Sequence, residues 1–137
     1  MPLRILVAVM LLWAAGAMPA RAAEAYWHGV AGGVSATLAE AEAASARGEV
    51  DAAKRAINEA YFRRFEDAKL EAAIRKEISA KRAAQIERLF ADMRKAVTAG
   101  DQAAVAKFAA EIRQSLTADA KTLDAAKVSP DVFAVNQ

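Results

Sequence analysis

Three glutamates, Glu66, Glu71 and Glu87, are the residues of this chain whose types and placement could do chemistry. Carboxylates converging from different helices of a bundle are how metal sites that prefer oxygen are built without cysteine. Iron, manganese, calcium and magnesium all suit such donors, and residue type alone does not rank them. Glu66 and Glu71 bracket a predicted break in a helix, where backbone groups are freed and side chains can converge. Glu87 flanks the core stripe of the next helix, beside Ile86. The plainer reading of the same residues is a set of charges on solvated helix faces.

Other chemistries are excluded. The chain has no cysteine, which removes thiolate metal sites and covalent haem of the C-x-x-C-H kind. Its one histidine, His28, has no companion ligand or orienting partner and reads as a residue at a helix end. No G-x-S-x-G elbow places a nucleophile. Gly29, Gly32 and Gly33 follow no strand and lead to no Lys-Ser/Thr pair, so they do not form a phosphate loop. With no nucleophile–base pair to name, the chain does not read as an enzyme.

The elements that must position the glutamates are all helical, since apolar residues recur every three or four positions and strand signals are missing. A first helix is expected from about Ala25 to Arg47, with Trp27, Val30, Val34, Leu38 and Ala41 on one face. Gly32 and Gly33 weaken its first half by about 1 kcal/mol each, so its well-formed part is expected to begin near Val34. Gly48 ends it. A second helix starts near Asp51, as N-cap or first-turn acid, and carries Ile57, Ala60, Tyr61, Phe65 and Ala68. Leu70, Ile74 and Ile78 then form a stripe in a different phase. At ~100° per residue, Leu70 lies ~220° from Ile57 on an unbroken helix. One straight helix cannot bury both stripes, so a kink or break is expected between Glu66 and Lys69, with a short helix to about Lys76.

A third helix runs from Ser79, as N-cap, to about Ala99, with Ala83, Ile86, Phe90, Met93 and Val97 inward. Gly100 ends it and Asp101 caps a fourth. That helix carries Val105, Phe108, Ile112, Leu116 and Leu123 to about Ala126. The glycine junctions at Gly48 and Gly100 look alike, each joining two amphipathic helices. The expected fold is therefore all-α: an up-down four-helix bundle of two αα-hairpins with a kink or break in the second helix. Tyr61, Phe65 and Phe90 fall on core faces and read as packing. Glu59, Arg63, Glu66 and Asp67 read as a solvated charge ladder.

The N-terminus reads differently. Arg4 precedes an uncharged apolar run, Ile5–Ala17, and Ala20-Arg21-Ala22 is a cleavage signature, the layout of a secretory signal peptide. The run is shorter than the ~20 residues a spanning helix needs. The expected organisation is a cleaved signal peptide over 1–22, a helical bundle domain over 23–127, and a tail over 128–137 docked by Val132 and Phe133. The exported chain would be periplasmic. Removing Arg4 and Arg21 reduces 19 basic residues to 17, against 17 acidic. The sequence pI of 9.0 thus belongs to the precursor and gives no support to binding nucleic acid or an anionic membrane.

Tyr61-Phe62-x-x-Phe65-Glu66, Leu70-Glu71-Ala72-Ala73-Ile74 and Ile86-Glu87-x-x-Phe90 together resemble the extracytoplasmic N-terminal domain of Ftr-type bacterial iron permeases. The likeness covers about Ala60–Phe90. In that family the region after the Phe-Glu pair is commonly glycine-rich; here it is Asp67-Ala68-Lys69, which fits a kinked helix better than an open loop. The family's Arg-Glu-x-x-Glu motifs lie in membrane helices, and neither the motif nor such a helix follows the leader here. The resemblance therefore implies the accessory domain alone. It implies Glu66, Glu71 and Glu87 as metal ligands and Tyr61 as an oxygen ligand or a neighbour of the ligands. Iron is the one cofactor implied, and a membrane iron permease or another periplasmic protein the partner. The alternative is a structural or chaperone-like interaction bundle with no metal site.

Overall fold

The computed structural model describes residues 25–133. The leader expected over 1–22 and the last residues of the tail, 134–137, lie outside the described residues. Those described form five α-helices, two π-helical segments and one 3-10 turn, with no strand among them.

Helix α1 (Tyr26–Ala46) buries Trp27, Ala31, Val34, Leu38 and Ala41 along one face. It is regular from Tyr26 onward, so the expectation of a well-formed part beginning only near Val34 is corrected. The reason is anchoring from far along the chain. The Asp124 carboxylate accepts hydrogen bonds from the backbone N–H of Trp27 and of His28, both at 3.0 Å. Two of the donors that a helix start leaves without partners are thereby satisfied. The Trp27 indole Nε1–H donates to the Val128 carbonyl at 2.8 Å. These contacts offset the glycine penalty.

Gly48 ends α1 at φ 73°, with Glu49 N–H bonded to the Ala44 carbonyl and Gly48 N–H to that of Ser45. Gly100 repeats the pattern at φ 68°, with Asp101 N–H on Ala96 and Gly100 N–H on Val97. Both junctions are tight because glycine enters the left-handed region without a Cβ penalty.

Helix α2 (Val50–Glu59) continues directly into the first π-helical segment (Ala60–Glu66). Asp51 stands in its first turn and makes no capping bond. The helical run stops after Glu66, and Lys69 adopts φ 69° before α3 (Leu70–Ala73) begins. The break lies where the apolar stripe jumps phase, and it lets both stripes be buried: Ile57 and Phe65 before it, Leu70 and Ile74 after it. It is a complete interruption rather than a kink. Past α3 the chain enters the second π-helical segment (Ile74–Ile78), two residues beyond the expected end at Lys76.

Ser79 is extended, and its Oγ accepts from Arg82 N–H at 3.0 Å, capping α4 (Ala80–Ala99). The Asp101 carboxylate accepts from Ala104 N–H at 3.0 Å and caps α5 (Gln102–Ala125). Ala109 takes the core position beside Val105 and Ile112, while Phe108 is only half-buried. A 3-10 turn, Pro130–Phe133, folds back so that Phe133 meets the Trp27 ring edge-on at 6.1 Å. Val132 stays exposed. Helix α1 packs against α5 and α2, and α4 against α5 and the second π-helical segment, around one core. No helix among the described residues is long and apolar enough to cross a membrane.

Candidate functional site

The glutamates sit around a pair of wide helical turns. An α-helix rotates 100° per residue, which leaves positions five apart about 140° out of line. A π-helix closes its bonds from i to i+5 and winds at roughly 4.4 residues per turn, which narrows that offset to about 50°. The first π-helical segment thus brings Tyr61 and Glu66 toward one side, and its defining bond runs from Asp67 N–H to the Phe62 carbonyl at 2.9 Å. The left-handed Lys69 then turns the chain so that Glu71, on α3, follows closely. Glu87 arrives from α4, one residue from the buried Ile86.

Tyr61 lies within range of the charges of all three. Its ring packs edge-on against Phe90 at 5.3 Å and lies 5.9 Å from Phe65. Burial pushes its hydroxyl above the ordinary phenol range, and the charges of Glu87, Glu66 and Glu71 push it further the same way. Arg94 acts in the opposite direction. All three carboxylates therefore bear on one phenol.

Arg75 joins two of them. Its Nε donates to Glu71 at 2.6 Å, and its Nη2 donates to Glu87 at 2.8 Å as well as pairing with Glu71. The hydrogen bond to Glu71 raises the Arg75 pKa, chiefly reinforced by the charge of that carboxylate. Glu71 keeps only 16% of its side chain exposed and Glu87 34%, whereas Glu66 is open to solvent. Among the described residues, no three His, Cys, Asp or Glu side chains are grouped closely enough to hold one ion as they stand. The donor chemistry, oxygen only, suits a hard cation such as iron. The geometry is that of a carboxylate pair closed by a guanidinium, with Tyr61 and Glu66 alongside.

Sequence reasoning missed Arg75. The signal was present, because Glu71 and Arg75 stand four apart with the acid first, the favourable orientation on a helix. The expected ladder on Arg63 does not form: Arg63 has no ion pair with Glu59, Glu66 or Asp67 among the described residues. The wide turn that starts at Ala60 takes these side chains out of their α-helical register. Phe65 and Phe90 are buried with ring centroids 5.6 Å apart, tilted at 31°, as packing requires, while Phe62 is 51% exposed. His28 is exposed at the start of α1.

Set beside known proteins, the chain matches no family model, and no curated protein or solved structure matches it.

Proposed function

We propose that this chain is a non-enzymatic, periplasmic accessory protein of iron uptake. It binds or presents iron through Glu66, Glu71 and Glu87 with Tyr61 as a fourth oxygen, docks to a membrane iron permease, or does both. The architecture we read is two αα-hairpins stacked as an up-down four-helix bundle, with a jointed second leg. Iron here is cargo, not a resident cofactor. The observation that carries this reading is that Glu71 and Glu87, from two separate helical pieces, are drawn together on Arg75, with Glu66 just before the break at Lys69. Loading would require the exposed Arg75 to swing away and release Glu71 and Glu87 as donors.

Calorimetric titration of the chain, lacking residues 1–22, with ferrous and ferric iron tests the ligand half. Saturable binding that is lost in the Glu66→Gln/Glu71→Gln/Glu87→Gln variant supports it. Equal heats from the two proteins, or none from either, reject it.

Arg75 also favours a second reading. A guanidinium that already neutralises Glu71 and Glu87 makes the cluster self-sufficient, as in a helical interaction protein with no metal site. In that case co-purification of a partner is indifferent to chelator and to the triple substitution.

A further inference from the structure

Between α1 and the first π-helical segment lies an open groove of about 360 Å³. Tyr26, Gly29, Val30 and Gly33 line it from α1, and Arg63 and Arg64 from the π-helical segment. Among the described residues, no carboxylate lines it. Neither arginine has an ion-pair partner among the described residues. Tyr26 is 39% exposed.

Nothing among the described residues requires glycine here. A Cβ added at Gly29 meets nothing within 4 Å, and one at Gly33 meets only the Arg64 Cδ at 3.9 Å, an ordinary contact. Each glycine costs its helix about 1 kcal/mol relative to alanine. Two bare positions one turn apart on a helix allow another helix to approach backbone to backbone. The two guanidiniums beside them, without an ion pair among the described residues, set the sign of what approaches, because they offer a planar fork that matches carboxylates.

We propose that this groove docks an acidic helical segment of a partner protein. The segment's small residues would cross Gly29 and Gly33, and its carboxylates would pair with Arg63 and Arg64. This inference stands apart from the metal reading, since none of its residues belongs to the glutamate cluster.

The test uses the chain without residues 1–22, labelled with nitrogen-15. The probe is a capped peptide of repeating Glu-Ala-Ala-Ala, about 16 residues long so that it holds a helix. Saturable shifts are expected at the amides of Gly29, Gly33 and Arg64, weakening with added salt as an ion-paired contact must. A Lys-Ala-Ala-Ala peptide should leave them unmoved. Arg63→Glu/Arg64→Glu and, separately, Gly33→Leu should each weaken binding by roughly tenfold or more. Gly32→Ala, outside the groove lining, should leave binding unchanged, and thermal melts confirm that each variant is folded. Four results would overturn the proposal: shifts centred elsewhere, equal binding by the charge-reversed variant, self-association of the chain through these same amides, or stronger capture of the arginines by phosphatidylglycerol vesicles than by the acidic peptide.

Discussion

Tyr61 feels burial and three carboxylates in the same direction, so its proton is held more tightly in the fold than in the unfolded chain. Above the ordinary phenol pKa of about 10, the native state then retains more protons than the unfolded state, and stability falls as pH rises. Its contribution is fully present below that value and is lost as pH climbs through the raised native value. Tyr61→Phe should flatten this alkaline slope in melting temperatures collected from pH 9 upward, while leaving the neutral-pH melt close to wild type. An unchanged slope would mean that neither burial nor the carboxylates hold this proton in the fold. Under the iron reading the same proton must leave when a phenolate coordinates ferric ion. Binding should therefore strengthen with pH and give a visible charge-transfer band that Tyr61→Phe abolishes.

Lys69 carries strain of another kind. A lysine in the left-handed region costs roughly 1–2 kcal/mol through its Cβ. Lys69→Gly should thus raise stability by about 1 kcal/mol in denaturant melts, and a loss instead would show that the lysine side chain contributes more than its backbone costs.

Among the elements, α1 is the one whose local sequence argues most against it. Three glycines stand in its first two turns, yet it holds because Asp124, at the far end of α5, caps it. Asp124→Ala should cost about 1–2 kcal/mol, the size of a lost N-cap. Hydrogen exchange should rise first over Tyr26–Gly33, and a uniform rise would place the cap's effect on the whole fold instead. The helix boundaries at Gly48, Ser79, Gly100 and Asp101 were readable in the sequence because each is fixed by a residue type with a local backbone preference. The break was readable too, since the Ile57 and Leu70 stripes could not share one straight helix. The π-helical turns were not. No residue type specifies an i to i+5 bond; the wide turn accommodates Phe65 and Ile74 into a core that only the assembled molecule defines.

At the scale of the whole molecule, Phe90 is the joint between α4 and the first π-helical segment. It is fully buried, with Phe65 and Tyr61 both against its ring. Phe90→Ala should cost about 3–5 kcal/mol, a large part of the 5–15 kcal/mol that a domain of this size holds. Because Tyr61 leans on the same ring, the variant should also lose the alkaline slope attributed to Tyr61, read in the same melts. Glu66, Glu71 and Glu87 were legible only as a set of residue types, and of the three the structure joins Glu71 and Glu87, through Arg75. Arg75, which decides the charge balance there, reaches Glu87 across twelve residues of chain, a separation that helical periodicity does not register.

Trp27 has its backbone on Asp124, its indole on Val128 and its ring against Phe133. The beginning and end of the described chain therefore meet at one residue. The order in which the helices are strung is thus separable from the way they pack. A short splice from Phe133 to Ala25, with new ends opened at the exposed Gly100, would rearrange the sequence without moving a core residue.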